Sequence, residues 1–391
     1  MIVKSLLIIL FAFLLVFVLI PLLLSSSGLD ILPGGGGTGF DRGEAFLLLR
    51  SRDDGDKWDT PVFARERGDS RPAEILDVAF HPRDQKVMFA GTKSAGLWKS
   101  EDEGANWHSV KDSSSSLDQR ADVYKIAMSQ VRPGVMYLAA FQGNRGRVFR
   151  SEDGGSSFRE IYSVSRDRVG VFDLWTPPTE PDKIVITTGE GRILASSDGG
   201  NRWRVVKTLR NPAALITMHP VFPGQGHLLT SQGEIFRTFD GAENWAELGV
   251  PRPGGSAATL RIEHPYSRVS FFQFGSSFSS SQSALDSLVI DPYNPAALWL
   301  TRGSALLSSA DSGYSWREIH SLINSQGVGL GGVAAHPTRP DTILVTAGAA
   351  LYTSMDRGIN WSTDPFDTRY PLREIFIHPQ KPETIFLTTG R

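Results

Sequence analysis

Cysteine is absent from the 391 residues, which excludes disulfides, thiol catalysis, cysteine-ligated metal and the acylated cysteine of a lipoprotein anchor. Charge of one sign is not in excess: 40 Lys+Arg against 42 Asp+Glu leave a formal net charge of -2. Duplex-binding domains ordinarily carry a basic excess, so no nucleic-acid partner is expected. The sequence has no HExxH pair, so zinc is not indicated. It has no Gly-x-Ser-x-Gly elbow either, so a Ser/His/Asp triad is not indicated. No cofactor is expected.

One long apolar run is present. Leu6 to Leu24 is almost unbroken Leu, Ile, Val and Phe, closed by Ser25-Ser26-Ser27. About 20 apolar residues can cross a bilayer. The run exceeds the apolar core of a secretory signal, and Ser25 to Gly28 is a poor cleavage site, so an uncleaved signal anchor is expected over a cleaved one. Lys4 before the run places the N-terminus in the cytoplasm and the rest outside it. Residues 1–28 therefore read as a cytoplasmic stub and transmembrane anchor, 29–43 as a Gly-rich linker around Gly34–Gly37, and 44–391 as the folded part.

The folded part repeats Ser/Thr-x-Asp-x-Gly-x-x-Trp. The copies begin at Ser51, Ser100, Ser151, Ser196, Thr238, Ser309 and Ser354. Their aspartates are Asp53, Asp102, Asp153, Asp198, Asp240, Asp311 and Asp356. Six of the nine tryptophans occupy the last motif position, with Phe158 in the third copy. A short carboxylate can accept backbone N–H groups across a turn, and glycine supplies a positive φ without a Cβ penalty. The motif is therefore read as a hairpin turn, and its aspartates as structural rather than metal ligands. Ala242 stands where the fifth copy should have glycine and is expected to strain or alter that turn.

A pair of apolar strands joined by a Pro-rich turn precedes each later motif, as in Val78-Ala79-Phe80-His81-Pro82 with Val87-Met88-Phe89. His81, His219, His336 and His378 precede proline in four such turns, which makes them features of the fold rather than a catalytic cluster. Four short strands per repeat, with motif starts 49, 51, 45, 42, 71 and 45 residues apart, fit propeller blades. The last strand pair, Ile375 to Leu387, has no motif after it, and the first motif has no pair before it. The expected fold is all-β: a seven-bladed propeller closed by pairing of its N- and C-terminal strands through Ala45 to Leu49. Residues 251–283, in the longest gap, read as a surface loop insertion or an aromatic binding loop.

For chemistry, a glycosidase would need two carboxyls facing across a cleft. Asp122, Asp167, Asp173, Glu190 and Asp286 are acids near the loop face, and the sequence pairs none of them. Arg120, Arg145, Arg168, Arg210, Arg302, Arg369 and Arg373 fall at strand starts or in loops sharing one face. Clustered guanidinium groups suit carboxylate, phosphate or acidic peptide partners.

The motif is similar to the Asp box, or BNR repeat, of sialidases, xyloglucan-cleaving endoglucanases, sortilin-type receptors and the photosystem II stability/assembly factor family. The chain resembles this last family most, over residues 44–391. That resemblance implies a single seven-bladed propeller outside the cytoplasm, without enzymatic activity, that binds a protein partner through an arginine-rich patch. The expected role is a membrane-tethered, non-catalytic, extracytoplasmic scaffold for an acidic surface or peptide. The alternative is a glycoside hydrolase or glycan-binding propeller.

Overall fold

The computed structural model describes residues 48–64, 74–250, 287–320 and 328–390. The expected anchor and linker, Asp286 and the 251–283 insertion lie outside the described residues. No helix among the described residues is long and apolar enough to cross a membrane.

Seven antiparallel sheets form the ring. Their innermost strands are Ile75–Phe80, Asp122–Met128, Val171–Trp175, Ala213–Met218, Ser287–Ile290, Leu330–Ala335 and Leu372–Ile377, here blades 1 to 7. Consecutive innermost strands are neighbours around a central channel. Second strands such as Ile184–Thr188 and Ile385–Thr389 are buried along their whole length, and that of blade 2 emerges only at Phe141 and Gln142. A strand sandwiched between two blades has no wet face, which explains why these segments read as unbroken apolar runs. The blades join through shared clusters: Phe89 and Leu97 of blade 1 pack with Val123, Met136 and Phe149 of blade 2.

The Ser/Thr–Asp bond of the motif recurs in all seven copies, whereas the closing indole bond is absent at Phe158 and at Trp245. In blade 1, Ser100 Oγ donates to Asp102 Oδ1 at 2.9 Å and accepts the Gly104 N–H at 2.9 Å. Asp102 Oδ1 accepts the Asn106 N–H at 2.8 Å, and Trp107 Nε1 donates to the Gly104 carbonyl at 3.0 Å. These bonds favour the ionised carboxylate; in blade 2 the hydroxyl of Ser157, with other donors, holds Asp153 down to about 2. The fourth motif position takes a positive φ and donates its N–H to the Pro-rich turn of its own blade, as Glu103 does to Lys86 at 3.0 Å.

The six motif glycines have φ between 77° and 99°, whereas Ala242 sits at 67°. The fifth copy has slid toward the left-handed helical minimum near +57°, the one positive-φ well that tolerates a Cβ. The reverse change should be poorly tolerated. At Gly104 a Cβ would fall 2.8 Å from the Phe386 ring, across the seam between blades 1 and 7. Gly104→Ala should therefore cost about 2–4 kcal/mol, from left-handed strain plus overpacking. Chemical denaturation of both proteins measures it, and a cost below about 1 kcal/mol would contradict the assigned turn.

The ring closes as the sequence implies. Leu48–Ser51 pairs antiparallel with Ile385–Thr389, Leu48 opposite Thr388 and Ser51 opposite Ile385. Arg50, 4% exposed, grips Asp59 through Nε at 2.9 Å and Nη2 at 2.6 Å, and donates from Nη1 to the Glu103 carbonyl of blade 1 at 3.0 Å. Arg339 of blade 6 ion-pairs with Asp54, and Lys381 of blade 7 with Glu103. Two blades depart from four strands: blade 7 has three, Leu372–Ile377, Ile385–Thr389 and Leu48–Ser51, and blade 1 has five. After Asp59 the chain leaves blade 7, and Val62–Ala64 adds in parallel to Asn106–Ser109 as a fifth strand of blade 1.

The histidines before proline are structural. His336 Nδ1 accepts the N–H groups of Thr338 and Arg339, and His378 Nδ1 those of Gln380 and Lys381. That leaves the Nε2 of His378 to reach the next blade, 3.2 Å from the Gln85 carbonyl. Burial pushes the proton affinity of all four down.

Candidate functional site

Every blade has two ends. The motif and the Pro-rich turn meet at one end, the box face. The hairpin between second and third strands meets the segment leading into an innermost strand at the other, as in Gly96 N–H to Ala121 O at 3.0 Å and Arg168 N–H to Asn144 O at 2.8 Å. This hairpin face surrounds the channel mouth and carries the seven predicted arginines.

Those arginines do not behave alike. Arg120, Arg168, Arg210 and Arg369 are exposed, on segments leading into different blades. Arg145 is half-buried and pairs with Asp167 at 2.5 Å. Arg302 of blade 5 is 4% exposed and packs against the hairpin of blade 4, where a Cβ at Gly233 would meet its guanidinium. It braces two blades and is not a surface group. Arg373 is partly buried, with Nε 3.4 Å from the Gly390 carbonyl, and burial lowers its proton affinity.

The predicted acids separate too. Asp122 caps Ser94, accepting from its N–H at 2.7 Å, and Glu190 accepts the Ser165 hydroxyl at 3.2 Å. Asp167 is held by Arg145. Asp173 alone belongs to a larger constellation, which the sequence reading missed in its other members.

That constellation arises from backbone geometry. Six innermost strands carry a bulge or register shift just inside the mouth, at Ile75/Asp77, Val123/Lys125, Val171/Asp173, Ala213/Leu215, Leu330/Val333 and Leu372/Ile375. A bulge re-aims the following side chain and opens the ladder. In blades 1, 2, 3 and 7 the residue there is charged: Asp77, Lys125, Asp173 and Glu374. Lys125 Nζ lies 3.2 Å from Asp77 Oδ1, and Asp77 Oδ2 accepts the Ile126 N–H at 2.8 Å. Asp173 repeats that tie one blade pair further on, accepting Ile216 N–H at 2.7 Å and Leu174 N–H at 2.8 Å. On the other side of the ring a threonine does this work, with Thr346 Oγ1 donating to the Arg373 carbonyl of the next blade at 2.7 Å. At the rim Lys93 pairs with Glu74 at 2.9 Å.

The energetics of the group differ by member. Burial penalises the Asp173 carboxylate more than Lys125 and its two N–H donors help it, so its pKa is pushed up to about 6. Burial likewise raises Glu374, with Lys125 and Arg373 opposing. Burial works against the Lys125 ammonium, yet Asp77 and Asp173 outweigh it, and its proton is held more tightly. Lys125 keeps 35% of its side chain exposed against 5% for Asp77. Glu374 is also partly exposed, and no described residue donates a hydrogen bond to its carboxylate. The mouth thus holds one partly exposed acid of raised proton affinity close to a lysine-paired aspartate.

Asp173 also gives a pH signature. A carboxyl whose folded pKa is raised binds more protons folded than unfolded, so its contribution falls as pH rises between about 4 and about 6. In Asp173→Asn that contribution is gone. The stability loss caused by this substitution should shrink from pH 4 to pH 7, by up to about 3 kcal/mol. Denaturation of both proteins across that range measures it, and a loss that grows with pH would contradict the assignment.

The family model for photosynthesis system II assembly factor YCF48 matches residues 139–387. The chain belongs to this family. A solved structure described as YCF48 bound to D1 peptide aligns over 91% of this chain and 99% of its own, with 14% identity and a TM-score of 0.58. The GH74 xyloglucanase from Xanthomonas campestris aligns over 81% of this chain and 51% of its own, with 17% identity and a TM-score of 0.59. At such identities these likenesses show the propeller fold alone. Among curated proteins, a xyloglucanase from Paenibacillus sp is 23% identical over 294 residues, 70% of this chain and 23% of its own. A probable oligoxyloglucan-reducing end-specific xyloglucanase from Neosartorya fischeri is 22% identical over 191 residues, 44% of this chain and 23% of its own. The chain spans about a quarter of these relatives' length.

These relatives correct one expectation. The sequence reading took the chain as lacking enzymatic activity because the assembly-factor resemblance implied it. The curated proteins it matches are named as glycoside-cleaving enzymes, so membership of the family does not carry that conclusion. The residues that would matter for such chemistry, Asp77 and Glu374, escaped notice because 297 positions of sequence separate them. The bulges that bring them together carry no residue pattern, so no signal in the sequence pointed to the pair.

Proposed function

We propose that this propeller is carbohydrate-active, taking a β-linked glucan chain across the hairpin face with the scissile linkage at the channel mouth. The observation that carries the reading is the Glu374–Asp77 arrangement beside Lys125. A glycosidic bond needs a proton donor and a second carboxyl in a different environment that stabilises charge. Partly buried Glu374, with raised proton affinity, fits the donor. Asp77, tied by Lys125 and the Ile126 N–H, fits the charge-stabilising partner. The xyloglucanase relatives supply the substrate class. The test is reducing-end release from soluble xyloglucan. Glu374→Gln should lower it about 10²–10⁴-fold with the fold intact. Unchanged release in that variant would remove Glu374 from the chemistry.

A second reading is favoured by the YCF48 structure with a bound D1 peptide. Here the exposed Arg120, Arg168, Arg210 and Arg369 hold the carboxylates of a peptide segment. Charge reversal at Arg168 and Arg210 would abolish peptide binding under this reading, and Glu374→Gln would leave peptide binding intact. In either case the Leu6–Leu24 run would tether the propeller to a membrane on the extracytoplasmic side.

A further inference from the structure

The exposed large apolar side chains are not spread evenly. Of eleven such side chains among the described residues, seven lie in the Pro-rich turns or motifs of blades 4, 5 and 6 on the box face, among them Phe222, Phe239, Tyr293 and Tyr314, and Val131 is in the corresponding turn of blade 2. The densest part joins blades 4 and 5. Phe239 is 59% exposed and Tyr314 67% exposed. Between them lies Arg237, its Cζ 3.7 Å from the Phe239 ring centroid and 5.8 Å from that of Tyr314. Phe222 adjoins on the same blade, where Gly241 N–H bonds the Gly224 carbonyl at 3.0 Å and ties motif to turn.

We propose that this patch is a second, non-catalytic glycan-binding platform that seats a neutral β-linked glucan on the Phe239 and Tyr314 rings; it rests on the carbohydrate-active reading above. The charges around the rings argue for a neutral occupant. Glu243 is held by Lys183 at 2.9 Å and by Arg204. Asp240 is spent on the N–H groups of Glu243 and Asn244, and Asp311 on Ser315. Asp311 also acts on Arg237. The patch therefore offers ring faces without unbalanced charge, rimmed by hydroxyl, amide and guanidinium groups. Sugar rings present apolar C–H faces edged by hydroxyls, which complements that surface. A strongly charged peptide or lipid surface would find no unpaired counter-charge here. Two exposed rings flank one guanidinium, which suits a polymer of repeating rings.

The experiment uses the full chain and a Phe239→Ala/Tyr314→Ala variant. Both side chains are exposed, so melting should not change. Native electrophoresis through gels containing soluble xyloglucan should retard the wild type, and the double substitution should weaken apparent affinity about tenfold. Cleavage of short soluble oligosaccharides should be unaltered, because the channel mouth opens on the opposite face. Equal retardation of the two proteins would overturn the platform and leave the proposed activity standing. Cleavage by a wild type that is not retarded would do the same. A wild type that neither cleaves nor is retarded would overturn both.

Discussion

Deleting the last 15 residues, 377–391, should abolish cooperative unfolding and leave an aggregating chain. The deletion removes the strand Ile385–Thr389, which pairs on one side with Leu372–Ile377 and on the other with Leu48–Ser51. Phe386 and Leu387 are fully buried, and Phe386 packs with Leu48, Met88 and Trp107 across the joint with blade 1. Loss of Phe386 alone would cost about 3–5 kcal/mol. The deletion also exposes the edge of Leu48–Ser51 as a template for intermolecular pairing. A whole domain is stable by only about 5–15 kcal/mol, so the remainder cannot hold a ring. Size-exclusion chromatography and thermal scanning check this. A soluble monomer melting in one transition near the wild type would mean that the termini do not close the ring.

The second large effect is electrostatic. Lys125→Met should destabilise the protein by about 2–4 kcal/mol at neutral pH. It removes the one ammonium among the described residues that faces Asp77 and Asp173, and leaves their carboxylates and Glu374 to repel one another at the channel mouth. Breaking one side of a buried pair costs about 3–5 kcal/mol because the other charge is stranded. The figure here is discounted for the 35% exposure of Lys125. The sign with pH is fixed: raised acids regain their protons as pH falls, so the deficit should be smallest near pH 4 and largest above pH 6. Adding Asp77→Asn should recover part of the loss, since the amide oxygen can still accept the Ile126 N–H. Loss of equal size at both pH values would show that packing of the lysine stem, and not its charge, is what matters.

The sequence made the scaffold legible because each blade repeats the same local physics. Ser100, Asp102, Gly104 and Trp107 form a self-contained turn whose bonds span at most four residues. Such a turn leaves a spacing that can be read directly. The unmatched first motif and last strand pair likewise showed the closure, and the glycine missing at Ala242 showed up as a shifted φ. The site was much less legible. Asp77 and Lys125 stand 48 residues apart, and Glu374 stands 249 beyond Lys125. Only the bulges at equivalent heights of four blades bring them together, and a bulge leaves no residue signature of its own. Arg302 looked like a loop arginine but is buried, because Gly233 leaves room on the neighbouring blade for its guanidinium. Val62–Ala64 carries too few residues to reveal an alternation, so the fifth strand of blade 1 could not be foreseen.

The carbohydrate-active reading is tested most directly by incubating the purified chain with soluble xyloglucan and following reducing ends, with Glu374→Gln alongside. The account predicts steady release by the wild type and a loss of at least about 10² in the variant. Equal release by both, or no release and no binding by the wild type, would contradict it.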